Sequence, residues 1–89
     1  EFYMIEKVIE CPWEAKGKVM RWLIQEETKG DNVVELFEGV KIHHKDGWAL
    51  VLPDSDEPVC RIYSEGVSEE YAEELTQFYE EKIRQAKLQ

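Results

Sequence analysis

Eighty-nine residues carrying 11 Lys and Arg against 20 Asp and Glu give a formal charge of −9, which fits one small domain with a single core. With 43% hydrophobic and 11% aromatic residues the chain is no disordered acidic tail. Its charge opposes nucleic acid and anionic membranes, both of which are bound through Lys and Arg, and no apolar run approaches the ~20 residues of a bilayer span.

Residues 2–11, rich in β-branched and aromatic side chains, read as a strand that Pro12 ends. Pro12 suits a first helical position, and Trp13, Val19, Met20, Leu23 and Ile24 recur at helical spacing. A helix is therefore expected from Pro12 to about Thr28, with Gly30 placed for a left-handed cap. Lys16, Lys18 and Arg21 read as a solvated basic face of that helix.

From Asn32 the period becomes two. Val33, Val40, Ile42 and His44 face one way, Lys41 and His43 the other, with Glu38-Gly39 interrupting. Asp46-Gly47 then predicts a type I′ hairpin turn with positive φ at both central residues, leading into Trp48–Leu52. A polar loop, Pro53-Asp54-Ser55-Asp56-Glu57-Pro58, precedes a strand over Val59–Ser64, with Cys60 and Ile62 on one face and Val59, Arg61 and Tyr63 on the other. Ser68 is an N-cap, and the apolar stripe from Tyr71 to Ala86 marks a second amphipathic helix. The order β-α-β-β-β-α gives an α+β two-layer sandwich: a four-stranded antiparallel sheet with two helices.

Few residues here can carry chemistry. Cys11 and Cys60 read as reduced, buried thiols of a cytoplasmic protein. His43 and His44 are adjacent on a strand, point to opposite faces and cannot share a metal. Trp13, Trp22 and Trp48 read as core or rim packing. Asp54, Asp56 and Glu57 form a dense acidic turn that could hold a hard cation, although Pro58 and Val59 stand where an EF-hand needs a ligand and a glycine. Arg61, alone among apolar strand residues, is expected to pair with a neighbour such as Glu57, or else to aim its planar fork at a phosphate.

The run from Gly39 to Tyr63, centred on Asp46-Gly47-Trp48 and Leu52-Pro53-Asp54-Ser55-Asp56-Glu57-Pro58-Val59-Cys60-Arg61-Ile62-Tyr63, resembles the C-terminal domain of the α-D-phosphohexomutases, the phosphomannomutase and phosphoglucomutase family. There the loop reads Arg-Pro-Ser-Gly-Thr-Glu-Pro-x-x-Arg-hydrophobic-Tyr. The helix start from Ser68 to Leu75 is also similar. The resemblance implies a TATA-binding-protein-like fold that closes over an active site, with a loop that grips the phosphate of a sugar phosphate. It places Asp54, Ser55, Asp56, Glu57 and Arg61 at that grip and no catalytic or metal-binding residue in this chain. The catalytic phosphoserine and Mg²⁺ loop would belong to preceding sister domains, so that Mg²⁺ is expected for the parent enzyme and no cofactor for this domain. Leu52, Asp54, Ser55 and Asp56 replace the family's Arg, Ser, Gly and Thr, which implies a degenerate loop with weak or lost affinity for sugar phosphate. Such domains also resemble those found behind nucleotidyltransferase domains in proteins like mannose-1-phosphate guanylyltransferase, where the role is structural or regulatory.

Overall fold

A computed structural model describes residues 1–89. The chain builds β1 (Tyr3–Glu10), α1 (Trp13–Thr28), β2 (Val33–Leu36), β3 (Val40–His44), β4 (Gly47–Pro53), β5 (Val59–Gly66) and α2 (Glu69–Lys87). The strands form one sheet in the order β1-β5-β4-β3-β2, every neighbouring pair antiparallel. The sheet therefore has five strands, correcting the expectation of four. Asn32–His44 is not one interrupted strand: the chain reverses at Phe37–Gly39, where the Phe37 amide donates to the Gly39 carbonyl at 3.2 Å, and Val33–Leu36 pairs back onto β3. Gly39 is required there because a Cβ would lie 2.4 Å from the Val51 carbonyl oxygen.

Two other expectations are corrected. The β3–β4 hairpin forms, but His44 pairs with Gly47, so its loop residues are Lys45 and Asp46. Neither they nor any glycine adopts positive φ, which removes the type I′ turn and the left-handed cap at Gly30. Pro12 stands just before α1 rather than inside it; its carbonyl accepts from the Ala15 amide at 2.9 Å. Ser68 does cap α2, accepting from the Tyr71 amide at 3.1 Å.

Both helices pack on one face of the sheet. Val19 and Leu23 of α1, with Leu75, Tyr79, Ile83 and Ala86 of α2, meet Val40, Ile42, Ala49, Val51, Cys60 and Ile62. Burying each large aliphatic side chain here contributes about 1.5–3 kcal/mol. The opposite face carries no helix. Strand register arranges it in three rows: Met4, Glu65, Trp48, His43 and Val33; then Glu6, Tyr63, Leu50, Lys41 and Glu35; then Val8, Arg61 and Leu52. No helix is long and apolar enough to cross a membrane.

Candidate functional site

The loop between β4 and β5 is folded around one carboxylate. Asp54 Oδ1 accepts the amides of Asp56 at 2.7 Å and Glu57 at 2.9 Å, the arrangement Asp favours in tight turns. Its Oδ2 accepts from Arg61 Nε at 3.0 Å. The loop base closes through the Asp54 amide donating to the Val59 carbonyl at 3.0 Å. The Asp56 amide, then the Arg61 guanidinium, hold the Asp54 carboxyl below its usual range, and the bond to Asp54 holds Arg61 above its own.

Two cations fasten this loop. Arg61 on β5 also reaches Glu57 Oε1 at 3.3 Å and Glu6 Oε2 on β1 at 3.4 Å. Lys16 on α1 donates Nζ to the carbonyls of Asp54 and Glu57 while lying 3.7 Å from the centre of the Trp13 ring. Lys16 is thus buried beneath the loop and not on a solvated face. Lys18 likewise donates to the carbonyls of Lys87 at 3.0 Å and Gln89 at 2.8 Å, closing the end of α2. Of the basic trio only Arg21 is exposed.

The structure therefore gathers Asp54, Glu57 and Arg61 as the sequence suggests, with Asp54 rather than Glu57 as the main partner of Arg61. Asp56 contributes its amide, and exposed Ser55 lines a shallow depression of about 490 Å³ with Glu38, Leu52, Pro53, Asp54, Arg61 and Tyr63. Leu52, opposite Arg61 across β4 and β5, presents a hydrocarbon wall there. Sequence reasoning missed Lys16 and Glu6. The one available signal for Lys16 was its helical spacing from Trp13, which puts a cation and a ring on the same side of α1.

Chemically, two backbone amides and a guanidinium make an anion cradle, and in this chain a carboxylate of the chain already fills it. Asp56, Glu57, Glu6 and Glu38 add negative charge around it. Each such carboxylate about 4 Å from an incoming anion would oppose it by about 1 kcal/mol even in a water-like dielectric. A hard cation does not fit either. Both Asp54 oxygens are bonded to donors, and no three His, Cys, Asp or Glu groups converge.

The remaining candidates fall into other roles. His43 and His44 do face opposite sides: His43 pairs with Glu35 on the helix-free face, and His44 turns inward. There His44 Nε2 lies 2.7 Å from the Tyr79 hydroxyl, which donates to Glu27 Oε1 at 3.1 Å, and Lys82 stands 3.6 Å from Glu27 Oε2. The phenol has one proton and gives it to the carboxylate, so His44 carries a proton on Nε2 and donates to Tyr79. Trp48, half-buried on the helix-free face of β4, donates to Glu65 Oε1 at 2.9 Å beneath Lys41, and Trp13 is exposed. Cys11 and Cys60 are free, fully buried thiols under the loop. Burial, then contact with Cys11, pushes the Cys60 thiol up to about 12.

No protein-family model matches the chain. Curated relatives do. The chain is 35% identical over 81 residues to the probable phosphoglucosamine mutase of Methanopyrus kandleri, a match covering 91% of this chain and 18% of that protein. It is 33% identical over 94 residues to the probable phosphoglucosamine mutase of Pyrococcus furiosus, covering 98% of this chain and 21% of that protein. It is also 32% identical over 75 residues to the phosphoglucosamine mutase of Methanococcus maripaludis, covering 83% of this chain and 17% of that protein. The chain thus spans about one fifth of the length of these relatives, in their C-terminal region. These names are phosphoglucosamine mutases rather than phosphomannomutases. By sequence, this chain is homologous to the C-terminal domain of the α-D-phosphohexomutases.

Proposed function

We propose that the chain serves as the substrate-closing C-terminal domain of a longer phosphohexomutase-type protein of sugar-phosphate metabolism, with a phosphate loop whose donors are held by its own Asp54. The observation that carries this reading is the filled cradle: the Asp56 and Glu57 amides and Arg61 Nε are all bonded to the Asp54 carboxylate. A tethered carboxylate competes as an intramolecular ligand at an effective concentration in the millimolar range or above. A free phosphate must displace it while facing Asp56 and Glu57. Affinity for the phosphate of a sugar phosphate is accordingly weak or absent, and the loop contributes shape and water exclusion to closure.

The catalytic phosphoserine and the Mg²⁺ site lie, in this reading, in the preceding domains of a cytoplasmic protein. Mg²⁺ would supply charge neutralisation there and is held by no residue of this chain. The parent's reaction is an intramolecular phosphoryl transfer on a sugar phosphate, with the amino-sugar phosphate named in its relatives as the first substrate to try.

The test is an amide-shift titration of the full-length protein, labelled with ¹⁵N, using inorganic phosphate and glucosamine 6-phosphate. The wild type is compared with a loop restored by Leu52→Arg, Asp54→Ser, Ser55→Gly and Asp56→Thr. The restored loop is expected to respond at positions 54–61 at a concentration at least tenfold lower than the wild type. An equal response from the wild type would overturn the filled-cradle reading.

The same cradle supports a second reading, a structural or regulatory domain of a sugar-nucleotide-forming enzyme of the mannose-1-phosphate guanylyltransferase type. That reading predicts nucleotidyl transfer without mutase turnover in the full-length protein, and it draws no support from relatives that carry mutase names.

A further inference from the structure

We infer that the helix-free face of the sheet is a docking surface for the preceding part of the same polypeptide, with Phe37 as its anchor. This rests on the reading of the chain as the terminal domain of a longer mutase, and adds to it which surface faces the sister domains.

The first observation is the distribution of apolar surface. Helices cover one face only, while Met4, Val8, Val33 and Phe37 are 57%, 49%, 65% and 84% exposed on or beside the other. Phe37 stands at the tip of the β2–β3 turn, on the helix-free side with Leu50 and Leu52, whereas Leu36 pairs with core residue Val40 and points to the helix side. A large apolar side chain this exposed beside the helix-free face gains nothing from folding unless something covers it, and exposed apolar surface of this kind marks interaction sites.

The second observation is shape. Phe37 overhangs a cleft of about 430 Å³ floored by Leu50 and Leu52 and edged by Glu35, Glu38 and Lys41. Glu38 and Leu52 also line the depression at the Asp54 loop. The apolar cleft and the loop therefore form one concave tract, and a body seated in the first closes the side of the second.

Charge and chain length decide the occupant. Glu6, Glu35 and Glu65 stand on this face beside Lys41 and Arg61, with Glu38 at its rim, and Arg61 is already shared by Asp54, Glu57 and Glu6. A second copy would set acidic rim against acidic rim, which costs specificity and affinity. The complementary occupant has an apolar centre and a basic rim. Matching relatives are about five times as long and align here through their C-terminal region, so a preceding domain of the same chain is tethered within reach at high effective concentration.

Hydroxyl-radical footprinting of the full-length protein tests this, with each residue's rate normalised to the urea-unfolded chain. Met4 and Phe37 are expected to label at least fivefold more slowly than Trp13 and Leu88, which are 52% and 81% exposed at the helical side and the C-terminus. Phe37→Ser should restore the labelling of Met4 while leaving that of Leu88 unchanged. Labelling of Met4 and Phe37 at the rate of Leu88 overturns the docking surface and leaves the mutase reading intact. Protection that disappears on dilution assigns the face to a second copy and overturns the occupant. Absence of sugar-phosphate turnover in the same preparation tells instead against the mutase reading, whatever the footprint.

Discussion

Tyr79→Phe removes a single oxygen from the meeting point of α1, α2 and β3. The ring is fully buried and keeps its packing in the variant. What is lost is the bond donated to the Glu27 carboxylate at 3.1 Å and the acceptor for His44 Nε2 at 2.7 Å. A hydrogen bond to a charged group is worth about 1.5–3 kcal/mol net, and an orphaned buried donor costs about 1–3 kcal/mol. Half-buried His44 can recover part of the second through water, and Glu27 keeps Lys82 at 3.6 Å. The balance is about 3 kcal/mol, or about 12–24 °C in Tm at the 4–8 °C per kcal/mol of a domain this size. Thermal unfolding of residues 1–89 followed by circular dichroism measures it, with a double-mutant cycle against Glu27→Gln. A Tm loss under about 4 °C, or no coupling in the cycle, would refute the reasoning that this chain of hydrogen bonds ties the helices to the sheet.

Other expectations follow from the same geometry. Burial, opposed by Glu27, holds the His44 imidazole below its ordinary 6.5, so the unfolded chain binds more protons near that pH. Stability should rise with pH through the imidazole range and fall as pH drops below it, and His44→Gln should flatten that slope in urea titrations between pH 5 and 7. The lowered Asp54 carboxyl keeps the loop tied above the ordinary value of 3.8 and releases it as pH falls through the lowered one. Amide exchange at Asp56 and Glu57 should accelerate only in that acid window. Lys16→Met should loosen the same loop at neutral pH, read as faster proteolysis between Pro53 and Pro58, whereas Arg21→Met should not. Cys11 and Cys60 should resist a thiol reagent in the native state and react in step with global unfolding. Gly47→Ala places a Cβ 2.1 Å from the Glu65 carbonyl oxygen, and the backbone shift this forces should cost about 1–3 kcal/mol in denaturant unfolding.

Element types were readable because period and punctuation agreed. Alternation marked β3 and β5, the Asp46-Gly47 hairpin signal marked β4, the Ser68 cap marked α2, and Trp13, Val19 and Leu23 marked α1. β2 was hidden because its four residues, Val-Val-Glu-Leu, hold too little alternation to stand apart from β3, and its reversal uses Phe37 and Glu38 rather than a turn pair such as Asn-Gly. The dipeptide Asp46-Gly47 predicted a hairpin for the wrong local reason: Gly47 is there to let β4 approach β5. At the loop, composition pointed to Asp54, Glu57 and Arg61, since an arginine beside carboxylates pairs almost anywhere it can reach. It did not reveal that Asp54 bonds its own amides, nor that Lys16, 38 residues earlier, supports the loop from below. Those are contacts between distant elements, and spacing along the chain does not encode them. The link from His44 through Tyr79 to Glu27 escaped notice for the same reason.

The placement of β1 at the sheet edge beside β5 bears on how the domain is made. Its partners lie 49 to 63 residues further along, from Glu10 with Val59 to Tyr3 with Gly66, whereas β2, β3 and β4 each pair with the strand that follows. Closing so long a loop is entropically the slowest step available to the chain. During synthesis β1 therefore leaves the ribosome 49 to 63 residues ahead of the strand residues it needs. For that interval the side chains of Phe2, Tyr3 and Met4 stay on an unpaired strand, an opening for chaperones and for mispairing that ends when Gly66 emerges.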